Sequence, residues 1–202
     1  MSYAYSENIL VQESAGHLLQ DELGWEVAFA YNSEVLGENG TFGRKAYSEI
    51  LLVRYFRQAL RRLNPWLSEE QADEVRRRLE EHLASASLLQ INEEKYKLIR
   101  DGIPVTVKLP DGRTESRKAL LIDFHAPENN HFLAIKELKI HGDLYRRRPD
   151  IVGFVNGLPL LFVELKNFSP NIADKLACST ASESIDSIVE KILQCINESK
   201  KS

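Results

Sequence analysis

The chain has 202 residues, of which 43% are hydrophobic and 28% charged, with a formal charge of −4. That balance suits a globular unit with a sizeable core. No stretch approaches the roughly 20 apolar residues of a membrane span, and MSYAYSENIL at the start has no basic region leading into an apolar run, so no membrane segment and no secretory signal are expected, and the cytoplasm is the expected compartment. The negative total excludes a global pull on nucleic acid and confines any DNA contact to a local patch.

Residues 6–23, SENILVQESAGHLLQDEL, place Ile9, Leu10, Leu18, Leu19 and Leu23 near helical spacing behind a Ser, which predicts a first helix. WEVAFAY, residues 25–31, alternates and is rich in strand formers, and the glycines of LGENGTFG then mark a loop. AYSEILLVRYFRQALRRL, residues 46–63, reads as an amphipathic helix that stops before Asn64-Pro65, because proline pushes the residue ahead of it out of the helical region. Ser68 and Gln71 have capping-box spacing for a helix over 69–83, and a further helix over 86–100 ends at Asp101-Gly102.

The texture then becomes extended. IPVTVKL, RKALLIDF, HFLAIKELKI, PDIVGFV and LPLLFVEL are short strand-like runs separated by turn signals, which predicts a meander of about five strands. Helices followed by strands indicate a mixed α/β or α+β sheet packed by helices. From residue 168 onward the chain is Ser-rich and then sets Ile185, Ile188, Ile192 and Ile196 at helical spacing, so a loop and a terminal helix are expected. Cys178 and Cys195 have neither CxxC spacing nor a nearby His cluster and read as free thiols. There is no GxxxxGK[ST] phosphate loop, so the chain is not expected to hydrolyse ATP by itself.

Chemistry concentrates in RRRPDIVGFVNGLPLLFVELKN, residues 146–167. Side chains two apart on a strand share a face, so Glu164 and Lys166 point together. Asn156-Gly157 is a hairpin signal that folds the Asp150 strand back beside them. A two-residue loop would pair Val155 with Leu158 and set Asp150 opposite Val163, on the wrong face. A three-residue loop, or an equivalent bulge, pairs Phe154 with Leu158 and groups Asp150 with Glu164, and that register is the expectation. Two carboxylates suit Mg²⁺, which prefers oxygen ligands and keeps sites for phosphate and water. Asp150 and Glu164 are the candidate metal ligands, with the backbone carbonyl of Leu165 as a further one, and Lys166 can orient the attacking water and stabilise charge on a phosphodiester. The other reading that spacing alone allows is a surface ion pair on an edge strand.

The same stretch resembles the PD-(D/E)xK nuclease signature, in the form RPDIVGFVNGLPL leading into VELK. It is similar in particular to the amino-terminal nuclease domain of type I restriction enzyme restriction (R) subunits. SENILVQESAGHLLQDELGWEVAFAY, RKAYSEILLVRYFRQALRRLNPWLSEEQ, NEEKYKLIRDGIPV and LIDFHAPENNHFLAIKELKIHG extend the likeness over roughly residues 5–168. The resemblance implies a restriction-endonuclease-like fold with a nuclease domain over 1–168 and an atypical tail over 169–202. Asp150, Glu164 and Lys166 would be its catalytic residues, using Mg²⁺ or Mn²⁺. It also implies double-stranded DNA as substrate, methyltransferase and specificity subunits as partners, and ATP only through a motor that this chain does not contain. Arg146, Arg147 and Arg148 are placed to hold DNA phosphates. Such nucleases often draw another acid from the first helix. There this chain reads LVQES, with Gln12 followed by Glu13, and Glu13 is the candidate ahead of Glu7 and Glu49. Relatives also usually carry Gln and Tyr on a helix after the ExK strand, whereas no Tyr follows Tyr145 here.

Two other classes stand beside the nuclease: a catalytically weak module that docks on DNA or on partner subunits, and a structural domain whose acids only solvate an edge. The remaining arginine groups, Arg54, Arg57, Arg61 and Arg62 and then Arg76 to Arg78, read as solvated helix faces. His125, His131 and His141 read as structural or surface groups, and Asp123 and Glu137 as ordinary residues of a half-buried sheet.

Overall fold

The computed structural model describes residues 7–81, 86–142 and 145–165. In chain order these form α1 (Glu7–His17), a π-helical turn (Leu18–Glu22), β1 (Glu26–Phe29), α2 (Val53–Leu63), α3 (Glu69–Glu80) and α4 (Leu88–Asp101). There follow β2 (Ile103–Lys108), β3 (Thr114–Ala119), a 3₁₀ turn (Pro127–Asn129), β4 (Phe132–Lys136), β5 (Ile140–His141), β6 (Arg146–Arg147), β7 (Ile151–Val155) and β8 (Leu158–Val163). The expected class holds: a mixed α/β fold with a central mixed sheet and helices beside it. Two compact units divide the described residues, one with those up to Val35, Phe132–Phe154 and those from Pro159, the other with Leu36–His131 and Val155–Leu158.

The first unit contains the four-stranded sheet, in the order β1-β4-β7-β8. β1 runs parallel to β4, with Val27 facing Ala134 and Ala28 facing Ile135. β7 runs against β4, because Glu137 N donates to Asp150 O at 3.0 Å at one end while Asn156 N donates to His131 O at 2.8 Å at the other. The strands are apolar because the inner ones are buried: Leu133, Ala134, Ile135, Ile151, Val152 and Phe154 are fully covered. On one face Ala134 and Ile151 pack with Ala15 of α1 and Leu19 of the π-helical turn, with Val27, Val163 and Leu165 against them. Burial of each large aliphatic chain there contributes roughly 1.5–3 kcal/mol.

The hairpin differs in detail from the sequence expectation. β7 ends at Val155 and β8 begins at Leu158, and both intervening residues have positive φ, 53° at Asn156 and 80° at Gly157. This is a two-residue turn of the kind whose twist matches its strands, in place of the three-residue loop. The offset of one residue is nonetheless present. A Cβ on Gly153 would lie 3.0 Å from Leu161 Cβ and 2.8 Å from the Trp25 ring, so Gly153 and Leu161 stand side by side on one face, whereas strict two-residue pairing would set Gly153 opposite Leu160. A bulge between the turn and Gly153 meets that requirement.

The second unit surrounds Phe56, Leu60, Val75, Ile103 and Leu121. Its β2 and β3 form a separate antiparallel pair; in the first unit, among the described residues, β5 and β6 form a two-stranded pair of their own. The five runs are therefore not one meander; alternation marks a strand without naming its neighbour. RKALLIDF is extended only to Ala119. The helix expected from residue 46 begins at Val53, because Leu52 is buried in a non-helical conformation with its N–H donated to Gly157 O at 3.0 Å. Ahead of it Glu49 closes a turn, accepting from Lys45 N at 2.6 Å and, through its carbonyl, from Arg44 Nη1 at 3.1 Å. The Ser68/Gln71 capping box forms as spaced, and Ser87/Gln90 makes a second one on α4. The terminal helix around Ile185 to Ile196 and both cysteines lie outside the described residues.

Candidate active site

Asp150 sits one residue ahead of β7, where the chain bends into the sheet. Its two carboxylate oxygens have different partners. Oδ1 accepts from Gln12 Nε2 of α1 at 2.6 Å, and Oδ2 accepts from Leu165 N, just past β8, at 2.6 Å. That nitrogen belongs to the peptide joining Glu164 to Leu165, so the backbone of the second candidate ligand rests directly on the first candidate's carboxylate. Glu164 itself follows the exposed set of β8, Leu160 and Phe162, and its side chain is exposed. Lys166 lies outside the described residues.

A third acid stands here, one whose alternation is that of an ordinary sheet. Glu137 follows the last residue of β4, and its Oε1 lies 3.4 Å from the same Gln12 nitrogen. Its backbone N–H is the one that donates to Asp150 O, and its φ is +54°, a conformation that a non-glycine residue adopts only when its surroundings over-determine it. Nothing in the alternation of IKELKI distinguishes Glu137, because what places it is the antiparallel pairing of β4 with β7. The first helix does reach this corner, through Gln12. Glu13 is exposed, and Glu49 is engaged by Lys45 in the other unit. The side chain of Glu7 lies outside what the structure describes.

The arginines divide as well. Arg146 and Arg147 are exposed on β6, with Arg147 over the Tyr145 ring. Arg148 lies over the Tyr31 ring at 4.6 Å and has its Nε 3.6 Å from Glu137 Oε2, so it turns toward the acids. The helix arginines are spent locally: Arg57 on Asp73, Arg61 on Glu69, Arg76 on Glu80, Arg78 on Pro104 O. Asp123 is structural, accepting from His125 N, Ala126 N and Asn129 Nδ2. These bonds, that from Asn129 foremost, hold its carboxyl below the usual range.

Among the described residues no three carboxylates, imidazoles or thiols already surround one point. Carboxylates such as Asp150 and Glu137 are nonetheless the donors that a hard divalent cation prefers. A carboxylate offers about four lone-pair sites, of which Asp150 commits two, and Mg²⁺ commonly takes only one or two protein carboxylates.

Comparison with known proteins matches residues 4–183 to the family described as type I restriction enzyme R protein N terminus. The chain belongs to that family. It is 37% identical over 155 residues to the type I restriction enzyme HindI endonuclease subunit of Haemophilus influenzae, covering 76% of this chain and 14% of that protein. It is 27% identical over 169 residues to a putative type I restriction enzyme MjaIXP endonuclease subunit of Methanocaldococcus jannaschii, covering 82% of this chain and 16% of that one. This R-protein amino-terminal region thus spans about a seventh of the length of those relatives. In the described residues no helix is long and apolar enough to cross a membrane.

Proposed function

We propose that this R-protein amino-terminal region is the nuclease module of a type I restriction enzyme, cutting double-stranded DNA with a divalent cation. The observation that carries the reading is the Asp150 corner. An acid at the mouth of β7 meets the peptide after Glu164 at the end of β8, within a chain whose family and relatives are restriction endonuclease subunits. Asp150 and Glu164 would hold Mg²⁺ or Mn²⁺, with the Leu165 carbonyl as a further ligand. The cation would supply an activated water and neutralise charge developing on the phosphate. Lys166 would orient that water and stabilise the transition state. Arg146 and Arg147, exposed on β6, would hold phosphates, which makes binding salt-sensitive and independent of sequence. Sequence reading, methylation and ATP-driven movement would come from other subunits and from parts of the enzyme outside this chain, in the cytoplasm.

The test is incubation of the chain with DNA and Mg²⁺ or Mn²⁺, comparing wild type with Asp150→Ala and Lys166→Ala. Cutting that falls by about 10³ in both variants is the expected result. DNA retention without cutting in any of the three selects the docking module instead, and equal cutting in all three refutes a site at Asp150.

A further inference from the structure

Two acids whose oxygens approach a single amide nitrogen are an arrangement that repels itself unless a donor or a cation stands between them. Here the donor is Gln12. Its Nε2 carries two hydrogens and lies 2.6 Å from Asp150 Oδ1 and 3.4 Å from Glu137 Oε1, so one neutral amide tethers both. Glu137 is held from behind as well: its side chain is only 21% exposed, Arg148 faces its other oxygen, and its backbone bonds to Asp150. A residue with φ of +54° at a strand end, held by three neighbours, is aimed rather than incidental.

We infer that Glu137 supplies a third carboxylate, besides Asp150 and Glu164, at the cation site, in place of an acid on the first helix, and that Gln12 is the positioning residue that keeps Glu137 and Asp150 together. The inference rests on the nuclease reading and deepens it. Gln12 and Glu137 divide between them what a helix-borne acid and a neutral strand-end partner would provide: one negative charge and one amide, at facing positions. Exchange of the two should therefore preserve the charge of the corner.

The experiment is calorimetric titration of the 202-residue chain with Mn²⁺ alone, for wild type, Glu137→Gln, the double variant Gln12→Glu with Glu137→Gln, and Asp150→Asn, each first matched to wild type by thermal melt. Loss of even an outer partner of a metal site typically costs 10–100-fold in affinity, so loss of the carboxylate itself in Glu137→Gln is expected to weaken Mn²⁺ by about tenfold or more. The double variant is expected to recover most of that loss. Should Glu137→Gln melt early, Glu137→Asp, which keeps the charge on a shorter arm, carries the same comparison. Glu137→Gln binding like wild type, or a double variant no better than Glu137→Gln, overturns the inference. If Asp150→Asn alone loses Mn²⁺, the nuclease reading survives that failure. Binding that is unchanged in Asp150→Asn, or absent from every form, overturns both.

Discussion

Strand β7 is bracketed by two polar residues that the fold uses in opposite ways. Asn156, after its last residue, is wholly buried, and its amide is fully spent. Nδ2 donates to Leu121 O and Asn130 Oδ1 at 2.9 and 2.8 Å, and Oδ1 accepts from His131 N at 2.8 Å and from Arg62 Nη2 at 3.4 Å. Asp150, before its first residue, is half-buried, with one bond on each oxygen and acceptor capacity left over. A buried amide with every bond committed is a brace. A carboxylate set beside a second acid, with one bond on each oxygen, keeps lone pairs to spare.

Mutation at the braced end should cost stability and mutation at the open end should not. The largest effect is expected for Asn156→Ala, which strands Leu121 O and His131 N without their partner and leaves a Cβ residue at positive φ; denaturant unfolding should show a loss of about 3 kcal/mol. Gly157→Ala comes next. Its Cβ would fall 2.6 Å from Leu52 O and 2.8 Å from Phe56 N at φ +80°, and the same measurement should show a loss of about 2 kcal/mol. Asp150→Ala should change stability by no more than about 1 kcal/mol, although it is the variant expected to lose cutting. If it unfolds the protein as Asn156→Ala does, the contrast between the two ends collapses.

The smallest effect concerns Asp123, a carboxylate spent as fully as Asn156. Its folded pKa is depressed, so its contribution is complete above the ordinary Asp value of about 3.9 and fades as pH falls through the depressed one. Thermal melts of wild type and Asp123→Asn should therefore differ at neutral pH and converge in acid. A gap that persists at low pH would remove the ionised carboxylate from the account of that loop.

Much of this is legible in the sequence. Asn64-Pro65, Ser68/Gln71 and Gly102 act within one turn of the chain, so helix ends followed from local chemistry, and the ExK run with its Asn-Gly turn located the candidate site. The start of α2 was not legible, because the bond from Leu52 to Gly157 joins segments distant in sequence. Nor was Glu137. Its alternation matches that of any half-buried strand, and LVQES offers Glu13 as the acid, whereas Gln12 is the residue that reaches Asp150.

Side-chain type and spacing along one hairpin are local properties, so the family pattern of Asp150, Glu164 and Lys166 is readable from the order of residues alone. The groups that stand around Asp150 are set by long-range contacts. The pairing of β4 with β7 and the packing of α1 over the sheet depend on contacts between distant parts of the chain, and those contacts put Glu137 and Gln12 beside it.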